Sequence, residues 1–172
     1  MLGDKMQQAL NDQLNAELYS SYLYLSMAAY FQTSDLSGMA HWMLAQAQEE
    51  LIHVGKYYDY INDRHGRVLL AKVDAPPKEW SSALEVFEAG LKHERHVTSL
   101  IGKLVDLAVE QRDHSTNNFL QWFVSEQVEE EATAAEIVGQ LRIIKDDPGA
   151  LYMLDRELGK RPLPITIAEN MN

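Results

Sequence analysis

Glu50 and His53 stand three residues apart in the stretch AQEELIHVGKYYDYI. That spacing puts a carboxylate and an imidazole one turn apart on one helix face. Gln127 and Glu130 repeat the spacing later in the chain, and Glu17 and Glu94 interrupt two further apolar patterns. The donors are hard oxygens with one imidazole, and the chain has no cysteine. Such a set suits iron or manganese better than structural zinc. Alone, each signal is weak: E-x-x-H is common by chance, and a lone seam glutamate is often a frayed pattern. Their meaning depends on whether the fold gathers them.

The elements that must do so are helices. Gly and Pro are scarce, and no Pro occurs before position 76, which favours long uninterrupted helices. The patterning predicts helices over about 4–32, 39–65, 82–111 and 115–145, with a short fifth over 148–158 and an irregular tail over 159–172. Asp4 with Gln7, and Ser82 with Glu85, have capping-box spacing. Gly66 is the expected stop of the second helix. Pro148 and Gly159 bracket the fifth in the usual Pro-in, Gly-out order. Two links are short, so helices one and two, and three and four, form antiparallel hairpins. The link over 66–81 carries Pro76-Pro77 and, extended, could span about 50 Å. The expected fold is all-α, a single-domain four-helix bundle of two hairpins joined by a long crossover, plus a fifth helix.

Each long helix carries an inward seam at alternating four- and three-residue spacing. The seams read Leu10, Leu14, Glu17, Ser21, Tyr24, Ala28, Phe31; then Met39, Met43, Gln46, Glu50, His53, Tyr57, Tyr60. They continue with Leu84, Phe87, Leu91, Glu94, Thr98, Ile101, Val105, Ala108, and with Leu120, Phe123, Gln127, Glu130, Ala134, Ile137, Leu141, Ile144. Every seam is apolar towards its ends and polar near its middle. Glu17, Glu50, Glu94 and Gln127 each lie roughly twelve residues, or about 18 Å, from their helix start. In helices about 40 Å long that is mid-height, which is common to both chain directions. Glu17, Glu50, His53, Glu94, Gln127 and Glu130 are therefore expected in one slice of the core.

Four ionised carboxylates in such a slice would cost several kcal/mol each, of order, and would repel one another. No Lys or Arg lies on the seams. Protonation, water or bound cations remain, and two divalent cations would balance four carboxylates. Tyr24, one turn from Ser21 and two from Glu17, can reach one of these carboxylates. Glu49, Glu126, Glu129 and Glu131 sit beside the seams, where a solvated face is the ordinary reading; Glu126 and Glu129 are one turn apart beside the proposed slice, so a supporting or metal-entry role for Glu49, Glu126 and Glu129 stands next to it. Met39 and Met43 read as core filler. His41, His65, His93, His96 and His114 are expected at the surface, and Trp42, Trp80 and Trp122 in packing or interfaces.

Composition narrows the rest. Net charge is −11, the wrong sign for coating nucleic acid. No apolar run approaches a membrane span. The N-terminus has no basic and apolar leader pattern, so a cytoplasmic protein is expected. Without cysteine, disulfides, iron–sulfur clusters and cysteine nucleophiles are excluded.

The stretches LNDQLNAELYSSYLYLSMAAYF, AQEELIHVGKYYDYI and FLQWFVSEQVEEEA resemble prokaryotic non-haem ferritins, the likeness running from about position 1 to 158. The resemblance implies a ferritin-like bundle with two irons per subunit at an intra-subunit ferroxidase centre, where Fe(II) is oxidised to Fe(III) by O2 or peroxide. It implies that Glu17, Glu50 and His53 hold one iron, and that Glu50, Glu94 and Glu130 hold the other, with Glu50 bridging and Gln127 nearby. Glu49, Glu126 and Glu129, with Glu130, match the family's third iron site, and Tyr24 its tyrosine beside the centre. A hollow homo-oligomer of 24 subunits storing ferric mineral is implied, with the fifth helix at a symmetry axis. Haem binding is not: the bacterioferritin pattern has Glu-x-x-His on the fourth helix and Met after the second-helix glutamate, where this chain has Gln127-x-x-Glu130 and Leu51. The carboxylates that line an iron inlet in animal-type ferritins have no match in the stretch 117–121, NNFLQ. Two other classes fit the residues less fully. One is a di-metal carboxylate oxidase or peroxidase acting on a small substrate. The other is a helical scaffold with a buried polar network and no metal dependence.

Overall fold

The computed structural model describes residues 2–165. The part of the expected irregular tail over 166–172 lies outside the described residues. Five helices form: α1 (Asp4–Thr33), α2 (Ser37–Asp63), α3 (Ala83–Glu110), α4 (His114–Ile144) and α5 (Pro148–Leu158), with no strand among the described residues. Helix ends fall within two residues of those expected from the sequence.

The ends are made differently from the expectation. Gly3, not Asp4, is the N-cap of α1, and no side chain caps it. Gln7 instead turns its Oε1 to the backbone N–H of Arg67, 2.8 Å away. Ser82 does cap α3, accepting from the Glu85 N–H at 3.2 Å, while the Glu85 carboxylate reaches back to Ser81. Asp147 caps α5 through the N–H groups of Gly149 and Ala150. The left-handed residue that ends α2 is His65, with φ of 58°, rather than Gly66. Gly66 is suited to its place for a different reason: a Cβ there would lie 2.9 Å from Gln7 Oε1 and 3.0 Å from the Ile61 carbonyl oxygen, so Gln7 would have to move.

α1 packs on α2 and α3 on α4, with α1 also against α3. The connection over 64–82 has no ladder to satisfy its backbone, so α1 side chains do it. Asn11 donates to the Arg67 carbonyl and accepts from the Leu69 N–H; Asn15 donates to the Lys72 carbonyl and Ser26 to that of Pro77. From Asn11 to Ser26 is about 22 Å of helix, so the crossover is stapled along much of α1.

The apolar seams close into two clusters. One holds Met27, Phe31, Met39, Met43, Phe87 and Ile137 among others. The other holds Met6, Leu10, Leu14, Tyr57, Ile101 and Phe123 among others. Burying each large apolar side chain contributes about 1.5–3 kcal/mol. Tyr57 stacks on Phe123 at 4.3 Å and Tyr60 on Phe119 at 3.8 Å, joining α2 to α4.

α5 folds back on the start of α2. The Asp155 carboxylate accepts from the Met39 N–H at 2.8 Å, capping a helix whose own N-cap, Leu36, supplies no acceptor. Gly38 makes the approach possible, because a Cβ there would fall 1.7 Å from the Asp155 carbonyl oxygen. No helix is long and apolar enough to cross a membrane.

Candidate metal centre

Between the two apolar clusters lies a polar layer. Glu17, Glu50, His53, Glu94, Gln127 and Glu130 are all buried in it, none more than 8% exposed. Each comes from the middle of its helix, because the apolar residues nearer the two ends of the same helix enter the two clusters. The seam therefore fixes their direction as well as their height.

Glu17, Glu50 and His53 each offer a ligand atom within 4.8 Å of the others, and they are the one such group among the described residues. His53 Nδ1 lies 3.2 Å from Glu50 Oε2 and 4.0 Å from Glu17 Oε2. Glu17 Oε1 accepts from Gln13 Nε2 at 2.8 Å, but its Oε2 is buried with no hydrogen-bond partner. A buried, unpaired carboxylate oxygen aimed at a second carboxylate and an imidazole is costly unless a cation meets it.

Across the layer, Tyr24 donates its hydroxyl to Glu94 Oε1. Gln127 Nε2 donates to Glu94 Oε2 at 3.2 Å, and Glu94 also has Thr98 within the same network. Gln46 Nε2 donates to Glu130 Oε2 at 2.6 Å. The amide of Gln127 thus presents its nitrogen to Glu94, leaving its oxygen as the possible ligand atom. His53 is held edge-on by Trp122 and Phe123, at 5.4 and 5.8 Å.

The electrostatics follow from burial. Desolvation raises the Glu17 carboxyl well above its usual range, with repulsion from Glu50 adding to it. Glu50 is raised by desolvation, then by Glu94 and Glu130. Desolvation also raises Glu94, against the opposing hydrogen bonds from Tyr24 and Gln127. Glu130 is pushed up to about 7, by desolvation and then by Glu94. Burial and the neighbouring Glu94 keep Tyr24 in its neutral phenol form.

The flanking acids are placed differently. Glu49 and Glu126 are half-buried beside the layer and Glu129 is exposed. Glu49 is paired with Arg161, whose guanidinium also donates to Gln46 Oε1 at 2.7 Å. Glu131 lies outside the layer and accepts from Thr98 at 2.6 Å. A groove of about 370 Å³ between α3 and α4 is walled by Ile101, Gly102, Val124 and Val128, with Gln127 among its lining residues.

Two expectations are corrected. His93 is not at the surface: it is largely enclosed, 2.8 Å from Ser20 Oγ, and burial with the nearby His96 lowers its pKa to about 4. His41 is half-buried, its Nε2 donating to the Arg161 carbonyl at 2.8 Å. Sequence reasoning also missed the partners that aim two of the carboxylates, Gln13 on Glu17 and Gln46 on Glu130. Gln13 and Gln46 precede Glu17 and Glu50 by four residues, a repeated spacing that could have flagged them. Arg161 had no such signal, since only the return of the chain past α5 brings it to the centre.

Comparison with known proteins places this arrangement in a wider group. A family model described as a ferritin-like domain matches residues 7–144. The chain is 46% identical to a bacterial non-heme ferritin of Bacteroides fragilis over 161 residues, 94% of this chain and all of that one. It is 41% identical to the bacterial non-heme ferritin of Staphylococcus aureus strain MRSA252, covering 94% and 97% of the two chains. Among solved structures, an open pore ferritin from the hyperthermophilic archaeon Archaeoglobus fulgidus superposes with a TM-score of 0.94 at 51% identity, covering 94% of this chain and 100% of that one.

Proposed function

This chain belongs to the ferritin family, and from that premise we propose that it stores iron and oxidises it on the way. Fe(II) is the substrate and ferric iron the cargo. The observation that carries the reading is the buried Glu17–Glu50–His53 group with its unpaired carboxylate oxygen, facing further buried carboxylates at the same height.

Glu17, Glu50 and His53 Nδ1 would hold one Fe(II). Glu50, Glu94 and Glu130 would hold a second, with Glu50 shared. Two irons each give up one electron; one O2 takes both with two protons to yield peroxide, or one peroxide takes both with two protons to yield water. The protein supplies placement and charge. Carboxylates favour Fe(III) over Fe(II), which drives the oxidation, and bound cations return the raised carboxyls to their ionised form. The hydroxyl of Tyr24 and the amides of Gln13 and Gln46 keep three carboxylates aimed into the layer. Gln127, a neutral donor, permits weaker holding and hence release of the product. Glu49, Glu126 and Glu129 would receive a third iron beside the pair.

The family membership supports a homo-oligomer, which we assign as a hollow shell of 24 subunits in the cytoplasm with α5 at a symmetry axis. Aerobic addition of Fe(II) to the purified apo-protein tests the reading. Ferric absorbance should rise at about two irons per chain in a fast phase, and gel filtration should then give a shell carrying iron. Fe(II) oxidation no faster than in buffer would overturn it. The groove beside Gln127 favours one other reading, a di-metal oxidase acting on a small substrate. Turnover of an organic substrate by a small oligomer that collects no mineral would select it.

A further inference from the structure

Arg161 is the cation paired with Glu49 beside the metal layer, and it is held from four sides. Its guanidinium pairs with Glu49, donates to Gln46 Oε1 at 2.7 Å and lies over the Trp42 ring at 4.6 Å, while its carbonyl accepts from His41. Both side chains of the pair are mostly enclosed, at 21% and 29% exposure. Gln46 then donates to Glu130 at 2.6 Å, so a single chain of contacts runs from the tail beyond α5 to a carboxylate of the centre.

A guanidinium keeps its charge at any accessible pH. It therefore balances Glu49 whatever the pH, where Glu126 and Glu130 lie close enough to repel it. A carboxylate oxygen engaged by Arg161 cannot also bind a metal ion without bringing two cations together. We propose that Arg161 is a built-in competitor for the flanking iron site: it occupies Glu49 when iron is scarce, and a third iron binds there only by displacing it. The inference rests on the reading of Glu49 as an iron ligand. It predicts that the flanking ion binds after the central pair and more weakly, and that its binding shifts the segment around residue 161 off Trp42.

Zn(II), which binds oxygen and imidazole donors without redox chemistry, is the probe. Calorimetric titration of the full-length apo-protein should give two tight events per chain and a third, weaker one. Arg161→Met keeps a packing stem over Trp42 and removes the charge; it should tighten the third event about tenfold. Arg161→Lys should return it towards the weak value. In a Glu49→Gln background the third event should vanish and Arg161→Met should have no further effect. A third event that appears only in Arg161→Met supports the competition as well. A third event unchanged by Arg161→Met, absent in both proteins, or tightened equally without Glu49 overturns it. Loss of the two tight events in the unsubstituted protein would instead strike the proposed function itself.

Discussion

The apolar ends of the bundle and its polar middle are built on the same seams and do opposite things. At the ends, Phe31, Met43 and Phe87 on one side and Leu10, Tyr57 and Phe123 on the other are nearly or fully buried and make the core. At the middle, the same spacing buries four glutamates whose carboxyls are all raised by desolvation. The ends supply stability; the middle spends part of it to hold carboxylates where water cannot compensate them. A helix seam is thus indifferent to chemistry: it dictates height and direction, and residue type decides what is done there.

Breaking an end should be the largest effect. Phe31→Ala leaves a void against Phe87, whose ring centroid is 5.8 Å away, and should cost about 3–5 kcal/mol. Denaturant unfolding would measure it, while iron oxidation per folded chain should change little. Breaking the middle should invert the pattern. His53→Ala or Glu130→Ala should keep the melting temperature of the apo-protein near or above its starting value, yet slow Fe(II) oxidation by about a hundredfold, the upper end of what loss of a supporting partner costs at metal sites. Stopped-flow absorbance decides, and unchanged oxidation would refute the assignment of these ligands.

The contrast also has a pH signature. Glu130 is protonated up to about pH 7 in the folded apo-protein but only to the usual carboxyl range, near 4.5, when unfolded. The folded state then binds more protons, so stability falls as pH rises through that window. Apo-protein should melt lower at pH 8 than at pH 5, and Zn(II) should recover the loss by mass action. Glu130→Gln should reduce the pH dependence, leaving the part due to Glu17, Glu50 and Glu94, and stabilise the apo-protein at pH 8 by on the order of 2 kcal/mol. An apo-protein that grows steadily more stable from pH 5 to 8 would contradict this. The smallest effect expected is at the support: Gln13→Ala removes the amide that steadies Glu17 and should weaken Zn(II) binding at the Glu17 site about tenfold, read by calorimetry.

Much of this was legible along the chain. The polar interruptions at Glu17, Glu50, Glu94 and Gln127 could be set at one height because helical rise is uniform, and the length of the 66–81 link required a crossover. The capping of α1 is not legible there, because Asp4 and Gln7 have the right types at the right spacing, while Gln7 is claimed instead by the returning crossover at Arg67. The enclosure of His93 is not legible either, because it lies off its seam: the α1 face carrying Ser20 and Tyr19 encloses it, and no pattern within α3 reports that.

The sequence by itself determined the level at which the buried carboxylates sit, because periodicity and rise are properties of a single helix; on α3, Val86, Val97 and Leu104 are buried where the expected seam has Leu84, Thr98 and Val105, which are half-buried. Only the tertiary structure decided which donors steady each carboxylate, that Glu17 Oε2 is left unpaired, and that Arg161 reaches Glu49 across 112 positions of chain. Contacts of that kind depend on how separate helices dock and where the chain returns, and local spacing carries no record of either.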